Sequence, residues 1–317
     1  MIKTLAVISA LVAAGSAAAQ TWPARSVQMV VPYAPGGIVD FIARTLGQRL
    51  SQQVGQPVVI DNRAGAGGMI GIEYTARSSP DGHTLVLMDP AVVINPVLQE
   101  KALYEMKDLA TVAVIGSSPL VLTVNPKLPV TDVAQLVRFA KANPGKLNFA
   151  TPGIGTTPHM AGELLKARAG IDMAHVPYKG SGPAMADLAA GQVQVGFSSI
   201  TGALPFIKDG RLRALATSGS NRSAALPDLP TFIEAGYPGF EVDLWLGIFA
   251  PAATPATSVA RINDEIRSAL RDPAVMAAFA KVGVEPRSVN PEESARFVRA
   301  EHDKWAQVVT GAHLRVK

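Results

Sequence analysis

The apolar residues of this 317-residue chain change period repeatedly. Short runs rich in Val, Ile and Leu alternate with longer stretches whose apolar positions recur at i, i+3 and i+4, the spacing of one helical face. The first unit pairs a strand over residues 27–31 with a turn at Pro35, Gly36 and Gly37. A helix over 39–50 follows, carried by Val39, Ile42, Ala43, Leu46 and Leu50. Strands over 58–60 and 85–87 come next, with Gly65, Gly67 and Gly68 opening a helix toward Arg77 between them. Three such units predict a Rossmann-like half with a parallel sheet.

A hydrophobic run over 120–124 is long enough to pass into a second half. There Thr131 is placed as the N-cap of a helix over 133–142, which Asn143, Pro144 and Gly145 stop. Strands over 147–150, 175–176, 193–197 and 212–216 alternate with helices near 159–169, 183–190 and 202–208. A second crossing run over 242–249 leads to helices over 255–270, 273–281 and 291–309, each with Pro at or near its start, where a fixed φ is tolerated. Two crossings predict a discontinuous first lobe, residues 20–121 with 243–317, and an inserted second lobe, 122–242. The lobes would close about the strands carrying Val121 and Trp245, with ligand in the cleft between them.

Composition narrows the class. Hydrophobic residues make up 48% and charged residues only 17%, with 28 Gly and 24 Pro, which argues against disorder. A net charge of +4 is too small and scattered for a nucleic-acid footprint. The absence of Cys removes disulfides, thiolate nucleophiles and Cys-ligated metals together. Lys3, the apolar residues 5–15 and the small residues Ala17, Ala18 and Ala19 read as an export signal over 1–19. That stretch is shorter than the ~20 apolar residues of a membrane span, so the expected product is a free periplasmic protein, not membrane-inserted after cleavage.

No G-x-S-x-G, H-E-x-x-H, P-loop or S-x-x-K motif is present, and no pair among the five His has metal-ligand spacing. No catalytic group, metal or cofactor is implied. Two strand–loop–helix junctions carry the candidate chemistry: Tyr33, Ala34, Pro35, Gly36 and Gly37 with Asp40, and Gly153, Gly155, Thr156 and Thr157 with His159. Glycine lets backbone N–H groups approach an anion, and a helix start adds partial positive charge. The same residues also make ordinary βα turns, and composition leaves the two readings level. Tyr178, Lys179 and Gly180 form a third junction. There Lys179 is either a partner for a carboxylate or a solvated surface cation. Asp40 is open to a cleft role or a helix-dipole role, His159 to a site role or a packing role. His83 follows a Pro-Asp-Gly turn and is read as structural.

Five segments, over 31–44 (VPYAPGGIVDFIAR), 61–71 (DNRAGAGGMIG), 140–161 (AKANPGKLNFATPGIGTTPHMA), 176–182 (VPYKGSG) and 251–255 (PAATP), resemble in order and spacing the Bug family of tripartite tricarboxylate transporter substrate-binding proteins. The resemblance implies an α/β type II periplasmic-binding-protein fold and no catalysis. It implies a monomer that delivers a small carboxylate to a two-subunit membrane permease. It also implies that backbone groups of the three junctions hold one ligand carboxylate. A receptor feeding a periplasmic signalling protein is the alternative, and a secreted hydrolase the third reading. The chain departs from the family where Asp-Asn is replaced by Ser198-Ser199, and where a hydroxyl-rich loop reads Asp89-Pro90-Ala91-Val92. Those changes predict a less polar distal pocket holding a mono- or dicarboxylate with an apolar or aromatic body, bound weakly if at all through an amine. Asp89, facing inward, would repel a second carboxylate.

Overall fold

The computed structural model describes residues 22–178, 180–311 and 314–316. The expected export signal and Lys179 lie outside the described residues. The elements alternate as the periodicity predicts. β1 (Val27–Val31), α1 (Ile38–Val54), β2 (Val58–Asn62), α2 (Met69–Ala76), β3 (Thr84–Met88) and α3 (Ala91–Leu98) come first. A 16-residue strand, β4 (Leu109–Val124), then leads to α4 (Val133–Ala142), β5 (Leu147–Thr151), α5 (Thr157–Ala169), β6 (Met173–Pro177), α6 (Ser181–Ala190), β7 (Val195–Ser199), α7 (Ile200–Lys208) and β8 (Arg213–Thr217). The chain returns through β9 (Asp243–Pro251) and closes with α8 (Ala256–Ala269), α9 (Pro273–Lys281), β10 (Glu285–Pro286) and α10 (Pro291–Gly311).

One sheet runs β2-β1-β3-β9-β4-β7-β5-β6, with β8 and β10 also paired to β4. β1, β2 and β3 are mutually parallel through β1, and β5 is parallel to both β6 and β7. The antiparallel strands β4 and β9 join the two parallel sets. β4 pairs with β9 from Leu109 to Pro119, then with β7 and β8 from Leu120 onward. Its register against β9 shifts between Thr111 and Ala113 and again between Val114 and Gly116, and such irregularities bend and twist a strand. Ile42 and Leu46 of α1 share one apolar cluster with Met29 and Leu87, while a second cluster spans both parallel sets, joining Val30 and Val86 to Phe149, Leu164, Leu165 and Val195. In α10, Trp305 is fully buried, and Glu301 accepts hydrogen bonds from Nε1 of both Trp245 (3.0 Å) and Trp305 (3.3 Å).

Two local expectations change. The N-cap of α4 is Asp132, which accepts from the Gln135 N–H at 2.7 Å, while Thr131 accepts from the Gln135 side-chain amide at 2.8 Å. A carboxylate beside the helix dipole is the stronger acceptor there. The helix α3 lies where only the connection after the third strand was read.

Helix α5, which starts at the candidate site, is held against the sheet by a close approach at Gly162. A Cβ there would lie 2.3 Å from Cε2 of Phe149. Gly to Ala inside a helix ordinarily stabilises by up to about 1 kcal/mol, but overpacking a core costs about 1–3 kcal/mol. Gly162→Ala is therefore expected to lower the unfolding free energy by up to about 2 kcal/mol in urea denaturation; a stabilised variant would contradict this packing.

Candidate functional site

The first junction is braced from within. Asp40 is buried at the start of α1 and accepts hydrogen bonds from the Gly36 N–H (3.0 Å), Arg44 Nε (3.0 Å) and Asn62 Nδ2 (2.9 Å). Asn62 Nδ2 also donates to the Tyr33 carbonyl at 3.0 Å. Burial would raise the Asp40 pKa, but the bonds from Arg44, Gly36 and Asn62 outweigh it and hold the carboxyl below its ordinary range. Asp40 thus shapes the loop from behind. Gly36 takes φ +96°, a left-handed conformation that favours glycine. Gly37 caps α1 with no side-chain hydrogen bond, so the N–H groups of Ile38 and Val39 have no acceptor among the described residues.

The second junction is braced by imidazoles. Nδ1 of His159 accepts from the Gly155 N–H at 3.2 Å, which leaves the ring proton on Nε2, 4.0 Å from Glu163 Oε1. His159 stacks on His175 with ring centroids 4.1 Å apart, and His175 stacks on Phe149 at 4.9 Å. Nε2 of His175 is 2.6 Å from Thr151 Oγ1. Burial, then the neighbouring His175 and Lys166, push His159 down to about 3; burial and Lys166 push His175 down to about 4. Both rings are neutral at physiological pH. Thr156 caps α5, donating to the Gly153 carbonyl at 2.8 Å. The hydroxyl of Thr157 is buried with no partner among the described residues.

The third junction is tied to the second by backbone hydrogen bonds, Tyr178 N–H to the Thr151 carbonyl (2.9 Å) and Gly180 N–H to the Pro152 carbonyl (3.0 Å). Tyr178 itself donates to Asp187 Oδ2 at 2.8 Å, and burial followed by Asp187 raises its pKa. At the end of β7, Ser199 caps α7 by accepting from the Gly202 N–H, while Ser198 Oγ is buried and unpartnered.

These junctions meet around a cavity of about 570 Å³, within the range of small-molecule sites. Among the predicted residues, Tyr33, Ala34, Gly37, Asp89, Thr156, Thr157, Gly180 and Ser198 line it. Pro35, Gly36, Asp40, Gly153, Gly155, His159 and Tyr178 lie behind it as loop formers and braces. Sequence reasoning missed the apolar walls, Ile38 and Val39 from the first turn of α1, with Leu120 of β4 and Leu244 of β9. The last two sit where the crossing strands meet, and only their position in the two crossing runs pointed to them. The described lining contains no Lys, Arg or His. Among the described residues no group of three or more His, Asp or Glu is placed to hold a metal ion. A groove of similar size, about 600 Å³, lies near Pro126, Ile207 and Leu226. Its one lining cation, Arg213, donates from Nη1 to the Val130 carbonyl at 2.7 Å, and none of the three junctions opens onto it.

A cavity ringed by helix starts between two parallel sheet sets, with antiparallel crossing strands in its wall, defines a periplasmic-binding-protein fold. Residues 42–314 match the tripartite tricarboxylate transporter family receptor, and the chain belongs to that family. It is 41% identical to Protein BugT of Bordetella pertussis over 324 residues, covering 99% of each chain. It superposes on an R. palustris protein solved with adipate with a TM-score of 0.81 and 35% identity, over 92% of this chain and 98% of that one. For MatC from Rhodopseudomonas palustris with bound malate the TM-score is 0.78 and the identity 33%, over 91% and 100%. No described helix is long and apolar enough to cross a membrane.

The imidazole brace has a measurable consequence. Unfolded histidines protonate below about pH 6.5, whereas His159 and His175 stay neutral in the fold down to about 3 and 4. The unfolded chain then binds more protons, so stability is full above about pH 6.5 and is lost as pH falls toward 4. His175→Phe, which preserves the stack, is expected to reduce that slope by up to about 1.4 kcal/mol per pH unit. Denaturation at pH 4, 5, 6 and 7 checks it; an unchanged slope would remove His175 from the acid response.

Proposed function

We propose that the protein is a periplasmic receptor that captures a small organic carboxylate in the 570 Å³ cavity and delivers it to a two-subunit membrane permease, acting as a monomer without catalysis. The observation that carries this is a set of unspent donors on one cavity. The Thr157 and Ser198 hydroxyls are buried and unpartnered among the described residues, and the start of α1 has no side-chain cap. Leaving such a group unsatisfied costs about 1–3 kcal/mol, and a carboxylate presents acceptors for all of them. The helix starts supply positive potential where no cationic side chain is described. The family relatives solved with adipate and malate support the same ligand class.

Capture in this reading is closure of two lobes, residues 20–121 with 243–317 and residues 122–242. Tyr33, Gly37 and Ile38 come from one, Thr157, Gly180 and Ser198 from the other. A ligand touching both favours the closed arrangement by its differential affinity, and shifts the population accordingly. The closed surface is what a permease would read.

A thermal-shift and calorimetric panel of aliphatic and aromatic carboxylates tests this. A true ligand at about 100 times its Kd adds about 2.7 kcal/mol to stability. Ser198→Ala and Thr157→Val are each expected to weaken binding about 10- to 100-fold, the worth of a hydrogen bond to a charged group. Gly37→Trp should abolish binding while the protein stays folded, because Gly37 has φ −79° and nothing lies within 4 Å of an added Cβ. Stabilisation by no carboxylate would reject the receptor reading. Ligand uptake by proteoliposomes holding the paired permease subunits should require the loaded receptor; uptake indifferent to it would favour a signalling role.

A further inference from the structure

The cavity holds one acid that carboxylate capture does not use. Asp89, at the start of α3, accepts from the Ala91 N–H through Oδ1 and from the Tyr33 O–H through Oδ2, both at 2.9 Å. A carboxylate has about four acceptor sites, so these two bonds fix its position and leave capacity facing the cavity it lines. Tyr33 has a single hydroxyl proton, already given to Asp89. Burial and Asp89 push the Tyr33 pKa well above its ordinary value, so it remains a neutral donor.

The bond to the Ala91 N–H does not by itself account for an acid here. Ser or Asn at a helix start accepts the same N–H bond without placing charge in a buried site. Burial raises the Asp89 pKa, while the Ala91 and Tyr33 bonds act against it. The rest of the described lining offers hydroxyls, backbone and apolar surface from Ile38, Val39, Leu120 and Leu244, with no cationic side chain. A second ligand carboxylate would meet Asp89 as a like charge in a desolvated site, which disfavours it. An ammonium would instead find an oriented carboxylate.

Resting on the carboxylate-receptor reading, we infer that Asp89, positioned by Tyr33 and the start of α3, is a specificity-determining residue that recognises a cationic, hydrogen-bond-donating group, so that the cavity takes zwitterionic monocarboxylates with an apolar body in preference to dicarboxylates. The amine, expected from the sequence to contribute little, becomes half of the recognition. The unspent donors of Thr157, Ser198 and α1 meet the ligand carboxylate; Asp89 meets the ammonium; the apolar wall meets what lies between.

Isothermal titration of the full mature chain with leucine, its amine-free counterpart 4-methylpentanoate, phenylalanine, 3-phenylpropanoate and adipate tests the inference. The wild type should bind at least one of the two amino acids tenfold or more tightly than its amine-free counterpart, with adipate weaker still. Asp89→Asn keeps an acceptor for the Ala91 N–H while removing the charge. It should erase the amino-acid advantage and tighten adipate binding tenfold or more. Asp89→Ser, a second helix-capping residue, should do the same and guards against a folding defect specific to Asn. An amino-acid to amine-free ratio unchanged by both variants, or a wild-type preference for adipate, would overturn the role of Asp89 and leave the carboxylate receptor standing. Failure of every acid in the panel to bind either wild type or variants would instead overturn the receptor reading on which it rests.

Discussion

Everything at the cavity depends on one strand serving both parallel sets of the sheet. β4 runs for 16 residues, pairing with β9 up to Pro119 and with β7 and β8 from Leu120. Because the two parallel sets share this strand, their strand ends and helix starts face a common space. Its backbone groups cannot be unpaired at the junction without exposing ladder hydrogen bonds in the interior, so the closure proposed above would have to bend the strand and not break its pairing. The partner at the same point is β9, whose Asp243 pairs with Pro119 and whose Leu244 pairs with Ser118. Leu120 and Leu244, the two apolar residues flanking that pairing, form part of the cavity wall. The junction of the crossing strands and the cavity wall are thus built from adjacent residues of the same strands.

Much of this architecture was legible because its signals are local. The strand over 27–31 and the helices over 133–142 and 273–281 are found with the predicted ends, since punctuation by Gly, Pro and capping residues brackets each of them. The first eleven residues of β4 were not read. Gly116, Ser117, Ser118 and Pro119 look like a loop, and only pairing with β9 and β10 makes them a strand. Helix α3 was missed for a different reason. Ala91 to Ile94 are all buried and Pro96 lies inside the helix, so there is no polar face to give a period.

The site was legible at the level of loops and not of side chains. Gly-rich junctions were placed at the cavity, but Asp40, His159 and Tyr178 turn away from it into Asn62, His175 and Asp187. A polar residue in a Gly-rich loop can face ligand or brace the turn, and sequence spacing does not distinguish them. Hydrogen-bond accounting does. The Asp40 carboxylate and the Tyr178 hydroxyl are satisfied within the protein, while the Thr157 and Ser198 hydroxyls have no partner among the described residues. In the proposed receptor, dipoles and hydroxyls would attract the anion, and Asp89 is the one acidic or basic side chain among the described lining residues apart from the Tyr33 phenol.

The bracing of the junctions also bears on the entropy of capture. Gly36, Asp40, Asn62 and Tyr33 form one hydrogen-bonded body. The Thr151, Pro152, Tyr178 and Gly180 backbones form another. Ordering loose loops on a ligand costs free energy residue by residue, whereas two prebuilt half-sites leave little local disorder to remove. In the proposed closure, what remains to be fixed on binding is their relative position, set by the bend of two strands. Affinity in such a molecule is tuned by the stiffness of that bend as much as by any contact with the ligand.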